Sequence, residues 1–144
     1  QKYVEEPNYQ VFPFVNLPIH KLLRNKAVSL GEETAVIFQD KEISFAQLEK
    51  RAAAIADFLE KQGVAPGQCV GLCLSRTPDM IAAMYGVLKV GGAYVCMLPD
   101  FPMARIQYML ETSQAAVMLY DEKAKECLPE KNTTFRSTKK AMYI

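Results

Sequence analysis

The sequence contains a single histidine, His20, and its four cysteines include no C-x-x-C pair. This inventory argues against a zinc site, which takes its ligands from closely spaced cysteines and histidines. Three of the cysteines, Cys69, Cys73 and Cys96, lie in apolar runs, where a free thiol behaves as a small hydrophobic group, whereas Cys127 does not. The sequence therefore predicts reduced thiols and a cytoplasmic protein.

The chain also lacks an excess of charge of either sign. Seventeen lysines and arginines face sixteen aspartates and glutamates, and the longest basic cluster is the pair Lys139-Lys140. Nucleic acid and anionic membranes are therefore poor candidates as partners. Residues 1–8 are polar, which does not fit a signal peptide.

The longest apolar stretch, residues 80–98, does not fit a membrane-spanning helix. Lys89 lies near its middle, at a cost of about 3 kcal/mol for insertion, and Gly91-Gly92 interrupts the helix. A helix followed by a buried strand explains the stretch better.

Helical and strand patterns alternate along the 144 residues, which correspond to one domain or to one piece of a larger domain. We predict helices over residues 17–30, 44–62, 77–90 and 101–112, a hairpin formed by residues 34–38 and 42–45, and strands at residues 68–75, 93–98, 115–120 and 141–144. Residues from 121 to the last strand are predicted to be loop. The alternation predicts an α/β fold with a mostly parallel sheet and flanking helices.

Local signals mark several helix ends. Ser44 and Gln47 form the S-x-x-Q pattern of a capping box, and Thr77 followed by Pro78 is typical of another helix start. The pair Gly91-Gly92 follows a helix and precedes a strand, whereas a phosphate-binding glycine loop follows a strand and precedes a helix. We therefore expect a left-handed helix end with close helix-to-sheet packing.

The same glycines belong to a longer motif. Residues 88–106 (LKVGGAYVCMLPDFPMARI) resemble the core motif LKAGGAYVPLDPxYPxxRI of the adenylation domains of nonribosomal peptide synthetases. Cys96 and Leu98 stand where that motif has Pro and Asp, and the sequence does not indicate a role for either residue.

Other motifs of this family follow the same order. Residues 43–48 (ISFAQL) resemble LTYxEL, residues 63–70 (GVAPGQCV) resemble GVxPGDxV, residues 75–80 (SRTPDM) resemble RSxEL, and residues 17–23 resemble the opening helix. The resemblance implies that residues 17–144 are the N-terminal fragment of an adenylation domain, ending just before the phosphate-binding loop. Residues 1–16 would be an N-terminal extension or linker.

The resemblance implies an enzyme that uses ATP and Mg to form an aminoacyl adenylate, then transfers it to the phosphopantetheine thiol of a carrier protein. The family's phosphate loop, ribose motif, substrate pocket and catalytic lysine have no counterpart in the sequence, so we assign no catalytic, cofactor-binding or metal residue. Expected partners are the remainder of the domain, a carrier protein and a condensation domain. An acyl or aryl coenzyme A ligase and a non-catalytic split half or regulatory module are the alternatives, and the isolated chain should self-associate.

Several conspicuous side chains have plain interpretations. His20 has no evident carboxylate or nucleophile partner and is expected to be an ordinary helix residue. Arg76 and Arg105 could contact a phosphate, but a structural ion pair or a helix-end contact is the better interpretation. Asp57 and Lys61 are spaced for an i,i+4 pair.

Three tyrosines, Tyr85, Tyr94 and Tyr108, recur at intervals that could suggest a surface for stacking bases. Because no basic groove accompanies them, we predict that they pack in the core.

Overall fold

The computed structural model describes residues 16–127 and 140–143. The extension predicted for residues 1–16 therefore lies outside the described residues except for Asn16, as do residues 128–139 and Ile144. In chain order the elements are α1 (Ile19–Ser29), β1 (Thr34–Phe38), β2 (Lys41–Ser44), α2 (Phe45–Lys61), β3 (Cys69–Cys73), α3 (Pro78–Lys89), β4 (Ala93–Met97), α4 (Met103–Ser113), β5 (Val117–Tyr120), α5 (Glu122–Cys127) and β6 (Lys140–Tyr143).

Two sheets organise this part of the chain. The larger has four strands in the order β4-β3-β5-β6, and all three strand pairs are parallel. The smaller sheet is the antiparallel hairpin of β1 and β2. The predicted α/β fold with a mostly parallel sheet and flanking helices is confirmed.

The core lies on both faces of β3. Alternate residues of a strand point to opposite faces, so the side chains of β3 contribute to two apolar clusters. Val70, Leu72 and Leu74 pack in one cluster with apolar residues of α2 and α3. Cys73 packs on the opposite face in a second cluster with residues of α4 and with Ala124 of α5. Burial on both faces explains why the sequence of β3 is a nearly continuous apolar run.

The predicted start of α2 is confirmed in detail. The backbone N–H of Gln47 donates to the Ser44 hydroxyl at 3.2 Å, and the Gln47 side chain accepts the Ser44 N–H at 3.0 Å. Thr77 occupies the residue before α3, with Pro78 at its start, but its side chain makes no capping hydrogen bond.

The prediction of loop from residue 121 onward is wrong, because Glu122–Cys127 forms α5. The Asp121 side chain accepts the backbone N–H of Ala124 at 3.0 Å, which is the contact made by a helix N-cap. An aspartate followed by Glu122 in the first helical turn is a recognisable start signal, although the helix is too short to show a hydrophobic period.

The prediction for the three tyrosines is wrong for two of them. Tyr85 packs partly buried beside the cluster of Leu23, which joins α1, the hairpin and α3. Tyr94 is 39% exposed and Tyr108 is 68% exposed. The sequence identifies an aromatic residue on β4 and another on α4, but the direction of a side chain depends on which elements pack against it.

Candidate functional site at the carboxyl edge of the sheet

The four parallel strands end at a common edge. Cys73 is in register with Met97 of β4 and with Tyr120 of β5, and Tyr120 is in register with Tyr143 of β6. Ligands of open parallel sheets bind outside the carboxyl ends of the strands. The residues that follow these strand ends are therefore the first candidates for a functional site.

Asp121 joins two of the strand ends. One carboxylate oxygen accepts the backbone N–H of Ser75 at 2.8 Å, and the other accepts that of Ala124 at 3.0 Å. Partial burial by itself would raise the pKa of this carboxyl group, but the hydrogen bonds from Ser75 and Ala124 outweigh it and lower the pKa. Asp121 is therefore an ionised group that fixes the geometry of the edge, and the sequence offered no sign of its contact with Ser75.

The cationic side chains near this edge have different surroundings. The Arg105 guanidinium lies 4.0 Å from the centroid of the Phe101 ring, a cation–π contact at the start of α4. Arg76 is exposed and forms no ion pair with any residue that the structure describes. Neither the ion pair nor the helix-end contact that we expected for these arginines is found within the described residues, where Arg105 instead stacks on an aromatic ring.

We tested whether the described residues fit a nucleotide and its divalent cation. No group of three or more His, Cys, Asp or Glu residues comes together within residues 16–125. Asp121 uses both carboxylate oxygens to accept backbone hydrogen bonds. The described residues thus present no ready-made cluster of side-chain ligands for a divalent cation. Cys69, Cys73 and Cys96 form no disulfide within the described residues, and burial raises the pKa of Cys96.

The glycine pair lies at the opposite end of α3 from this edge. Gly91 has φ 75°, its N–H donates to the Leu88 carbonyl, and the Gly92 N–H donates to the Val87 carbonyl, both at 3.0 Å. These are the two bonds of a Schellman motif. Because both glycine N–H groups are engaged, the prediction of a helix end rather than a phosphate loop is confirmed.

The remaining predicted residues lie away from the carboxyl edge. Asp57 and Lys61 form the expected i,i+4 pair on α2, at 2.6 Å. His20 lies in the first turn of α1, where partial burial and then the charge of Lys89 lower its pKa, while Glu49 acts in the opposite direction. The sequence suggested no carboxylate near His20, because Glu49 is brought there by the packing of α1 against α2.

The fold is therefore that of an α/β protein, and the carboxyl ends of its parallel strands lie at one edge of the sheet. Its family follows from sequence comparison, because the sequence model of the AMP-binding enzyme family matches residues 23–143. The chain belongs to this family, which consists of acyl-adenylate-forming ligases.

The chain is similar to segments of much longer proteins. It is 41% identical over 101 residues to polyketide synthase PksN of Bacillus subtilis (strain 168), which covers 70% of this chain and 2% of that protein. It is 40% identical over 103 residues to bacitracin synthase 1 of Bacillus licheniformis, covering 72% of this chain and 2% of that protein. The chain thus spans about 2% of the length of these relatives.

Solved structures share the fold. A nonribosomal peptide synthetase, FmoA3 (S1046A), matches with a TM-score of 0.80 at 23% identity, over 92% of this chain and 14% of that one. The anthranilate coenzyme A ligase AuaEII matches with a TM-score of 0.78 at 20% identity, over 87% of this chain and 24% of that one. Within the described residues, no helix combines the length and the hydropathy that a membrane crossing requires.

Proposed function

We propose that this chain is the N-terminal part of an amino-acid-activating domain of a nonribosomal peptide synthetase. Such a domain uses ATP to form an aminoacyl adenylate and pyrophosphate, and then passes the aminoacyl group to the phosphopantetheine thiol of a carrier protein. The observation that carries the proposal is the family match, which runs through the whole parallel sheet from α1 to β6. The similarity to bacitracin synthase 1 supports the peptide-synthetase branch.

In this proposal the chain supplies scaffold and no catalytic, cofactor-binding or metal residue. Residues 17–144 form the first part of the domain, and residues 1–16 are an extension or linker. ATP and Mg would be held by further residues of the enzyme. The absence of a cluster of three or more His, Cys, Asp or Glu side chains among the described residues supports this part of the proposal. The chain alone is then catalytically incompetent.

Strand edges and exposed apolar side chains support the proposal that the remainder of the adenylation domain packs against this chain. Within the described residues, β4 and β6 each pair with only one strand. Tyr94 on β4, Tyr108 on α4 and Ile37 on the hairpin expose large apolar surface. The remainder of the adenylation domain would cover such surfaces, and an isolated chain would self-associate through them. A carrier protein and a condensation domain are the further partners, in a cytoplasmic enzyme without a nucleic-acid or membrane partner.

A coenzyme A ligase is the second candidate within the class. It is supported by the similarity of fold to the anthranilate coenzyme A ligase. The two candidates differ in the acceptor of the acyl group, which is a carrier-bound thiol in one case and free coenzyme A in the other. The non-catalytic split half or regulatory module is a third hypothesis, in which this chain would act by pairing with another polypeptide.

A chimera tests the proposal. The segment of bacitracin synthase 1 that matches this chain would be replaced by the present sequence within the relative's adenylation domain. We expect amino-acid-dependent ATP–pyrophosphate exchange and loading of a carrier protein, but no transfer to free coenzyme A. A chimera that folds, binds no ATP and catalyses no exchange would contradict the proposal, and the unmodified domain is the control.

A further inference from the structure

A groove of about 370 Å³ opens where α1, α2 and α3 meet. One wall is basic, with His20, Lys21 and Arg24 from α1 and Lys89 from α3. Lys89 is the last residue of α3, whose first residue Pro78 follows the carboxyl end of β3. The groove is therefore separated from the carboxyl edge by the length of α3, and it belongs to no part of the proposed adenylation site.

The lysine at the back of the groove already has a partner. Lys89 Nζ lies 2.5 Å from Glu49 Oε1, and both side chains are largely buried. Across the groove, α2 contributes Asp57 and Glu60, and Asp57 is paired with Lys61 at 2.6 Å. The charges of Lys89 and Asp57 are thus partly offset by Glu49 and Lys61, and the other lining charges decide the sign of the groove.

The remaining charges are unequal. Lys21 and Arg24 form no ion pair with a residue in the described part of the chain, and Glu60 is the acidic lining residue that also lacks one there. Two cations thus face one carboxylate across the groove. Although Lys21 and Arg24 are exposed, an excess of positive charge in a concave site attracts anions more strongly than the same charge on a flat surface.

His20 reports the sign of the local field. Its pKa is lowered first by partial burial and then by the nearby charges of Lys89 and Lys21, while Glu49 acts in the opposite direction without reversing the effect. Burial carries no sign of charge, but among the nearby charges Lys89 and Lys21 together outweigh Glu49, so their field disfavours an added proton. The same field favours an anion.

We propose that the groove binds a small dianion of phosphate size, held by the side chains of Lys21 and Arg24 with the imidazole of His20 beside it. Arginine offers several N–H donors in a plane, and lysine adds a compact charge, so the pair suits the oxygens of a tetrahedral anion. Inorganic phosphate and the phosphate group of a larger molecule share this chemistry. The proposal is independent of the proposed adenylating function.

The single histidine makes the test specific, because the imidazole signals of His20 are the only ones in the chain. The pKa of His20 would be measured by NMR at constant ionic strength while sodium chloride is replaced by sulfate, a dianion that does not titrate near neutral pH. We expect a saturable rise in the pKa of His20, because a bound anion favours the imidazolium form. Inorganic phosphate and O-phosphoserine, compared at pH 8, distinguish a free anion from a phosphate carried by a larger molecule.

Matched variants locate the site. In the double variant Lys21→Gln/Arg24→Gln the dissociation constant for sulfate should rise about tenfold or more, since both direct donors are lost. Glu60→Gln should tighten binding about threefold by removing a like charge. Lys123→Gln, an exposed site on α5, should leave binding unchanged.

Three results would overturn the proposal. The first is no change in the pKa of His20 up to about 50 mM sulfate, a concentration well above the dissociation constant of a useful anion site. The second is a change that grows linearly without saturating. The third is a saturable change that survives unaltered in the folded Lys21→Gln/Arg24→Gln variant, since that would place the anion elsewhere.

Discussion

Asp121 accepts the backbone N–H of Ser75 at 2.8 Å and so joins the ends of β3 and β5 across 46 residues of sequence. The same carboxylate accepts the Ala124 N–H and begins α5. One side chain thus fixes the positions of two neighbouring strand ends and a helix relative to one another. This relation defines the carboxyl edge on which we propose that the adenylating enzyme builds its active site.

We expect the Asp121→Asn variant to be less stable than the parent chain by about 1 kcal/mol at pH 7. Loss of the charge weakens both hydrogen bonds, and solvent exposure of the carboxylate keeps the effect modest. Because folding lowers the pKa of Asp121, its contribution is complete above the unfolded pKa of about 3.9 and is lost as the pH falls through the folded value. Urea unfolding at pH 7 and at pH 3 would measure the difference.

The exposed carboxylate Asp100 provides the control for this comparison, and Asp100→Asn should have little effect at either pH. The stability difference between the parent and Asp121→Asn should shrink as the pH falls below about 4. A difference that stays constant down to pH 2 would show that the charge of Asp121 contributes nothing.

The buried pair of Lys89 and Glu49 should respond strongly to loss of one partner. Lys89→Met leaves the Glu49 carboxylate without its cation, and one of its oxygens, Oε2, already lacks a hydrogen-bond partner. Since the two side chains are only 14% and 19% exposed, we expect a loss of about 3 kcal/mol in the free energy of unfolding. Chemical denaturation at pH 7 measures it.

Replacing both partners should restore much of this loss. In Glu49→Gln/Lys89→Met no uncompensated charge remains buried, so the double variant should be more stable than Lys89→Met alone. The exposed pair on α2 serves for comparison, and Lys61→Met should change stability little. Equal losses for Lys89→Met and Lys61→Met would refute the distinction between the two pairs.

Gly91 should tolerate asparagine better than alanine. Its φ of 75° is unfavourable for residues with a Cβ, and asparagine adopts it at lower cost. A Cβ at this position would lie 3.2 Å from the Pro66 Cβ in either variant, so the steric contact is common to both. We expect Gly91→Ala to cost about 1–2 kcal/mol and Gly91→Asn to cost less. Equal stability of the two variants in thermal unfolding would mean that backbone strain is negligible.

The isolated chain should self-associate through the edge of β4 that no strand covers within the described residues. Its weight-average mass in sedimentation equilibrium should rise with concentration, because an unpaired strand edge accepts another strand. Tyr94→Lys places a charge on this edge and should reduce association, whereas Tyr108→Lys, at an exposed position of α4, should reduce it less. A monomer over a wide concentration range would contradict the expectation.

Features set by a few neighbouring residues could be predicted from the sequence. The capping box of Ser44 and Gln47 and the left-handed turn at Gly91 depend only on local geometry, and both are confirmed. The contact of Asp121 with Ser75 and the pair of Glu49 with Lys89 join residues 46 and 40 positions apart. Periodicity and capping rules describe neighbouring residues, so they do not predict contacts between residues this far apart in the sequence.

The exposed tyrosines illustrate the same limit. A strand or helix pattern predicts that some face is buried, but Tyr94 and Tyr108 lie on faces that no described element covers. The short helix α5 is different, because Asp121 and Glu122 do form a start signal and the polar composition of the segment concealed it. The groove between α1, α2 and α3 depends on helix packing, which the sequence pattern does not specify.

The most direct test of the central claim is carboxylate-dependent ATP–pyrophosphate exchange by this chain alone, with the chimera as positive control. Circular dichroism would first establish that the chain is folded. The account predicts exchange by the chimera and none above background by the isolated chain, because we propose that this chain supplies scaffold and that further residues of the enzyme hold the nucleotide. Exchange by the isolated chain would contradict the account and place the ATP site within these 144 residues.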